Sequence, residues 1–254
     1  MNVQSIQLLI ATMNQKEGDY SLLEKMNIQS DAIVCNQCDR YSFVEFSWHG
    51  HVIKWYDYNE KGVGLNRNNA LMRAMGDIVV FCDDDMVYRD GYPQFLIDGF
   101  NNNPKADLLI FNIEGRRQNL GIKRVNRINY LRYGAARIAA RRDKIKENGI
   151  LFNLCFGGGT EHQHGEDNIF LCDCLNKRLR IYTYPVLIAK LTDNRPSTWR
   201  NEYGEKYFSD QGALYKQISR RFWKCLCLID SMKHSRRYGC SWRNAYRMMT
   251  SSEG

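Results

Sequence analysis

Three consecutive carboxylates, Asp83-Asp84-Asp85, end an unbroken apolar run, Ile78-Val79-Val80-Phe81-Cys82. Like charges a few ångströms apart raise one another's pKa, and a hard divalent cation relieves that repulsion. Asp83 and Asp85 fall on one face of an extended chain, so both are expected to reach one Mg2+ or Mn2+, which would in turn hold a diphosphate. An acidic turn in solvent would account for Asp84 and Asp85 but not for the apolar run leading into them. A second acidic pair, Glu166-Asp167, opens a predicted helix that continues through 168–177. The helix dipole favours acids there for stability alone, and a carboxylate there also suits a general base that takes a proton from a hydroxyl. Both readings stay open at this point. Arg67 and Asn68 follow Gly62-Val63-Gly64, a turn that lets phosphate approach a helix start; the plainer reading of Arg67 is an exposed helix residue.

Other reactive residues point to less. Cys35-Asn36-Gln37-Cys38 is one CxxC without the second pair that a zinc ribbon needs. His162, His164, Cys172 and Cys174 cluster in sequence, but residues two apart on a helix point about 200° away from each other. Nine scattered cysteines read as reduced, mostly buried thiols of a cytoplasmic protein. No GxSxG is present for a hydrolase nucleophile.

The elements that must position these residues alternate. Strands are expected over 6–12, 32–35, 52–56, 78–82 and 108–113, with helices over 20–27, 65–75 and 92–100, and a late strand over 181–190. This alternation predicts an α/β fold with a mainly parallel central sheet flanked by helices. The strand into the triple aspartate shows no alternation and is expected to be central, covered on both faces. Gly76 is read as the residue that stops the preceding helix in its C′ position. With 254 residues and 44% apolar composition, the chain is long enough to fold without disulfides or a structural metal. The opening Met1-Asn2-Val3-Gln4-Ser5 lacks a basic leader, and no apolar run is long enough to span a membrane, so neither a secreted precursor nor an integral membrane protein is expected.

In this order the motifs resemble the family 2 glycosyltransferases, inverting nucleotide-sugar enzymes of GT-A fold. Leu8-Leu9-Ile10-Ala11-Thr12-Met13-Asn14 is similar to the family's first strand with its Thr-x-Asn ending. The segment from Gly62 to Ala70 resembles the one that ends in Ala-Arg-Asn, and Gly76 to Asp85 resembles the strand into the DxD metal site. Gly165-Glu166-Asp167 matches the Glu-Asp motif, and 180–185 resembles the strand that follows it. The resemblance covers about residues 5–200.

It implies that Asp83 and Asp85 hold Mn2+ or Mg2+ against the donor diphosphate, with Asp84 in support. It implies Asp167 as catalytic base with Glu166 beside it, and Thr12, Asn14 and Arg67 in the nucleotide pocket. Two departures stand out. Where the family's second strand ends in an acid pair, this chain has Asn36-Gln37-Cys38-Asp39, leaving Asp39 as a displaced candidate for the nucleobase. Where some GT-A enzymes place a late histidine on the metal, the stretch 187–192 offers Lys190, suited to phosphate. The expected organisation is a GT-A domain over 1–200 and a basic, aromatic helical extension over 201–254.

The net charge of +8 is unevenly spread. Residues 116–146 hold eleven Lys/Arg and one acid, and residues 216–247 hold nine and one, which leaves an acidic remainder. An anionic partner is therefore expected at particular surfaces. The first segment lies where the family binds acceptors. The second interleaves cations with Phe222, Trp223, Tyr238 and Trp242, a pattern suited either to anionic membrane or to a helix pair packed on the domain. The expected donor is a nucleotide sugar, with a UDP-sugar first. The expected acceptor is a glycan or a lipid-diphosphate-linked sugar of cell-surface polysaccharide such as capsule or lipopolysaccharide, at the cytoplasmic face of the inner membrane. A metal-dependent nucleotidyltransferase is the competing class and gives Glu166-Asp167 no role. A nucleic-acid binder ranks last, because the triple aspartate would repel phosphate. No nucleic acid is expected as a partner, and the oligomeric state is left open.

Overall fold

Apolar residues that ignore alternation make the middle of the sheet. In the computed structural model, which describes residues 4–192 and 203–251, strand β1 (Ile6–Met13) pairs in parallel with β2 (Asp31–Gln37) on one side and β5 (Ile78–Asp83) on the other. Strand β4 (His51–Tyr58) adds in parallel to β2. Helix α1 (Ser21–Lys25) connects β1 to β2, and α2 (Val63–Arg73) connects β4 to β5. These four strands are among the six expected from sequence, and Leu108–Glu114 and Ile181–Leu191 are the other two. Their carboxyl ends line up, with Thr12 opposite Asn36, Asn36 opposite Asp57 and Ala11 opposite Asp83. Open α/β sheets bind ligands along such an edge.

The rest of the sheet makes it mixed. Edge strand β3 (Ser42–Trp48) runs antiparallel to β4. Beyond β6 (Met86–Tyr88) and α3 (Tyr92–Asn102), β7 (Leu108–Glu114) joins β5 through the antiparallel strand β8 (Ile138–Arg141). After α4 (Arg142–Glu147) and α5 (Glu166–Asn176), β9 (Ile181–Leu191) pairs in parallel with β7 and antiparallel with β6. The sheet order is β3-β4-β2-β1-β5-β8-β7-β9-β6. Strand β3 has exposed residues on both faces, so it carries no burial pattern to read.

Alternation sorts the core onto two faces. Leu8, Ile10, Val80 and Cys82 face a cluster closed by Leu22, Leu23, Leu96 and Phe100 from α1 and α3. Leu9, Val79 and Phe81 face Ala70, Leu71, Phe170 and Leu171 from α2 and α5. Three further helices, α6 (Glu205–Ile218), α7 (Trp223–Tyr238) and α8 (Trp242–Thr250), enclose a separate cluster of Phe208, Tyr215, Trp223, Cys227, Tyr238, Ala245 and Met249. The boundary expected between residues 200 and 201 lies outside the described residues.

Gly76 does not end α2 in a left-handed C′ position. The helix stops at Arg73, Ala74 is extended, and Gly76 is needed for close approach, since a Cβ there would lie 2.7 Å from the Gln7 Cβ. The Gly62–Gly64 turn is likewise a packing device. A Cβ at Gly64 would lie 2.6 Å from the Asn153 carbonyl oxygen, and the Val63 N–H already donates to Gly158 O at 3.0 Å. The start of α2 is thus closed by the 157–160 loop, which corrects the expectation of a phosphate approach at this turn.

Candidate active site

Helix α2 buries a polar run, Asn66-Arg67-Asn68-Asn69, and each side chain in it is used. Asn66 Nδ2 donates to the carbonyls of Thr12 and Cys35, tying together the ends of β1 and β2. Asn68 makes a reciprocal pair with the backbone of Phe152 at 2.9 and 2.8 Å. Asn69 donates to Glu60 Oε2. Asn66 Oδ1 has no partner among the described residues, but the bonds that these buried amides do make fix the helix that carries Arg67.

Arg67 is 4% exposed and joins three carboxylates. Its Nη2 donates to Asp83 Oδ1 at 2.7 Å, and its Nη1 donates to Glu166 Oε1 at 3.0 Å and Asp167 Oδ1 at 2.8 Å. Its carbon lies 5.3 Å from the centre of the Phe152 ring. Burial alone would weaken the charge on Arg67, but Asp83, Asp167 and Glu166 outweigh it, so its pKa is raised and the guanidinium stays charged. Buried Arg67 Nε has no hydrogen-bond partner among the described residues.

The acidic pair opens α5, as expected, after Gly165 at φ 111°. Burial pushes the Glu166 carboxyl up to about 7, the Asp167 charge adds to this, and Arg67 opposes both. Asp167 is also raised, by burial first, while Arg67 and a hydrogen bond from the Ala135 backbone pull it down. A carboxylate held near neutrality beside a cation is suited to taking up a proton.

At the triple aspartate, Thr12 Oγ1 donates to Asp84 Oδ2 at 2.6 Å, and Gln15 Nε2 donates to Thr12 Oγ1. The Asp85 carboxyl is raised by burial and then by the charges of Asp83 and Asp84. The end of β9 reaches the same place, because both the N–H and the hydroxyl of Thr192 donate to the Asp85 carbonyl. Lys190 is exposed on β9, paired with Val87 of β6. Mutually repelling oxygen donors suit a hard divalent cation. Among the described residues no group of three or more His, Cys, Asp or Glu is placed to hold a metal ion by itself. Two carboxylates with diphosphate oxygens and water completing the shell is a usual arrangement for Mg2+, so the residues present fit such an ion.

Asn14 has φ 56° and donates its N–H to Gln37 O, shaping the loop beyond β1. Asp39 is not brought together with the other candidates. Its side chain is 98% exposed and lies 4.0 Å from the Arg40 guanidinium. The buried acid at this end of the sheet is Asp57, which sequence reasoning missed. Its oxygens accept from Asn36 Nδ2, Trp55 Nε1, Arg40 Nε and Ser42 Oγ. Asp57 is thus occupied as an anchor for the carboxyl ends of β2 and β4.

A second feature missed in sequence braces the acidic pair. Asp210 of α6 is fully buried and accepts from the Gln163 N–H and Lys206 Nζ, with His162 Nδ1 at 3.0 Å. Lys206 Nζ also donates to Glu161 O, and His164 Nε2 pairs with Gln211 Oε1. Leu214 packs against Phe156 and Ile169, and a Cβ on Gly165 would lie 2.9 Å from it. The loop that delivers Glu166-Asp167 is therefore clamped from the C-terminal side. Lys206 and Asp210 at i,i+4 were the available signal, but their partner in the 161–164 loop was not legible.

Solved structures of similar architecture agree with the expected fold. Staphylococcus aureus TarS 1–349 in complex with UDP-GlcNAc is similar at a TM-score of 0.61 and 14% identity, over 97% of this chain and 91% of that one. The complex of TarS 1–349 with UDP gives 0.61 and 16%, over 96% and 75%. No curated protein sequence matches the chain. The chain shares the GT-A fold of these structures. Residues 46–160, which contain Arg67 and Asp83 to Asp85, match glycosyl transferase family 2.

Proposed function

We propose that this chain is an inverting transferase that moves a glycosyl group from a nucleoside-diphosphate sugar, a UDP-sugar first, to a hydroxyl of a glycan or lipid-linked acceptor. The observation that carries the reading is the single guanidinium of Arg67, which spans Asp83 on one side and Glu166-Asp167 on the other. It sets the candidate diphosphate end and the candidate base side by side. The UDP and UDP-GlcNAc complexes of TarS support the choice of donor.

In this mechanism Asp167 takes the proton from the acceptor hydroxyl, whose oxygen attacks the anomeric carbon. The bond to the diphosphate breaks on the opposite face, and the nucleoside diphosphate leaves with the electron pair. Glu166 and Arg67 hold Asp167 in place. Thr12 orients Asp84 within the triplet, Asn14 shapes the nucleotide pocket, and Lys190 contacts phosphate. Asp39 serves the nucleobase only if its turn folds inward. A divalent cation, Mg2+ or Mn2+, held by Asp83 and Asp85 supplies charge neutralisation for the leaving diphosphate when bound.

The outer face of α7 exposes Phe222, Leu228, Ile229 and Met232 among Arg221, Lys224, Lys233 and Arg236. Such a face supports contact with an anionic leaflet where a lipid-diphosphate acceptor for capsule or lipopolysaccharide assembly would be held. Among the described residues no helix is long and apolar enough to cross a membrane.

Calorimetric titration of UDP with and without Mn2+, repeated on Asp85→Ala, tests the donor half. Binding that needs Mn2+ and is lost in the variant is the expected result. Failure of UDP, GDP, CDP and dTDP to bind under either condition overturns it.

A further inference from the structure

Residues 116–132, between β7 and β8, contain six Lys/Arg and no acid. Among them Leu120 is 94% exposed, Ile128 90% and Ile122 51%. Single exposed leucines are ordinary on protein surfaces. Here, however, the backbone that presents them is fixed. The Asn119 N–H donates to Asn112 Oδ1 at 2.7 Å, Asn112 Nδ2 donates to Asn119 O, and Asn119 Nδ2 donates to Ile110 O. Farther on, Thr183 Oγ1 donates to Gly121 O and accepts the Lys123 N–H. The Thr183 N–H donates to Lys123 O, and the Val125 N–H donates to Ile181 O. Residue 119 is therefore held to β7 and 121–125 along β9, with Leu120 and Ile122 exposed on either side of Gly121. A chain pinned this firmly presents its apolar side chains rather than merely failing to bury them.

Both ends of the loop lie at the candidate active site. At one end a Cβ on Gly115 would lie 3.5 Å from Leu191, whose neighbour Thr192 bonds the Asp85 carbonyl. At the other end, a Cβ on Gly134 would lie 3.1 Å from Asp167 Oδ2, and the Ala135 backbone bonds Asp167. Leu131 packs against the cluster of α6–α8, which places this end of the loop against the C-terminal helices.

The charge pattern selects the occupant. A second copy docking about a two-fold axis would set six cations against six, without an acid to pair them. A nucleic acid would use the cations but gains little from leucine and isoleucine tips. An anionic bilayer takes both, since its headgroups attract the cations and its acyl boundary accepts the apolar side chains.

We propose that residues 116–132 form a membrane-docking loop, in which Leu120, Ile122 and Ile128 enter the headgroup–acyl boundary of an anionic leaflet while the six cations engage its phosphates. The proposal rests on the lipid-linked acceptor reading above and deepens it, because the loop brings the leaflet to the backbone that holds Asp167.

The test is co-sedimentation of the full chain with phosphatidylcholine vesicles with and without phosphatidylglycerol. Three proteins are compared: the parent, Leu120→Asp/Ile128→Asp, and Ile229→Asp/Met232→Asp on α7. UDP titration of each serves as the folding control. The loop variant is expected to lose on the order of tenfold or more in partitioning onto phosphatidylglycerol vesicles while its UDP binding stays unchanged. Leu120→Trp emission is expected to shift to the blue on adding the same vesicles. Parent-like partitioning of the loop variant, or an unmoved Trp emission, overturns the proposal; if the α7 variant then fails to bind, the membrane reading itself survives. A parent that ignores phosphatidylglycerol vesicles overturns both membrane statements and leaves the donor site to its own titration. A concentration-dependent dimer that the loop variant abolishes, with no vesicle effect, overturns the proposal in favour of self-association.

Discussion

One guanidinium, that of Arg67, satisfies Asp83, Glu166 and Asp167 from a position 4% exposed. Removing one member of a buried charge set leaves the others unpaired, so Arg67→Ala should lower unfolding free energy by about 3–5 kcal/mol, read from urea midpoints. Arg67→Lys keeps the charge but cannot fork to three carboxylates, and it should recover only part of that loss. Asp167→Asn should lower kcat by roughly 10²–10⁴ while leaving UDP affinity unchanged. Glu166 has a sign of its own. Its folded-state value is raised from the ordinary 4.5 to about 7, so the fold favours the protonated form. Its contribution to stability is then full below 4.5 and is lost as pH rises through about 7. Urea midpoints taken across that window should show this slope in the parent and a flatter one in Glu166→Gln. The types of these residues were legible in sequence, because a buried strand that ends in three aspartates needs a cation to neutralise them. Their mutual contacts were not, since Arg67 meets Asp167 across 100 residues of chain.

At the scale of elements, the loop before α5 depends on α6. Asp210→Ala removes the acceptor shared by His162, Gln163 and Lys206. Hydrogen exchange across 157–165 should accelerate in that variant while β1, β2 and β5 keep their protection. Burial raises the Asp210 pKa, but bonds from Lys206, Gln163 and His162 outweigh it and leave it lowered. Its contribution to stability is therefore present above the ordinary carboxylate range and lost as pH falls through its own lower value. Strands β1, β2 and β5 were readable because burial on both faces leaves continuous apolar runs, and β4 because its buried residues alternate. Strands β3, β6 and β8 were not, being either exposed at an edge or three to four residues long. Gly76 misled for a related reason. A glycine after a helix reads as a C′ cap, whereas here it admits the Gln7 side chain.

Across the whole molecule, all nine cysteines are free, and only Cys155 and Cys225 are exposed. Burial pushes the Cys35 and Cys227 thiols up to about 12. Native protein treated with maleimide should therefore label first at Cys155 and Cys225, and at the buried thiols only as it unfolds, which mass spectrometry of the intact chain would resolve. The two basic segments were legible as charge. That one of them is a pinned loop with apolar tips follows from contacts with Asn112 and Thr183, which no local pattern announces. The brace on the acidic loop has an order in time as well as in space. His162 and Asp210 are 48 residues apart in the chain, and at ~5–20 residues per second the ribosome leaves the loop unclamped for several seconds. Late in that interval, once Leu191 has been made, nascent chains carry every described strand of the sheet and the whole acidic triplet, yet lack the contact that braces the loop before the base. A folding intermediate of this protein can thus acquire its donor edge before it acquires catalysis.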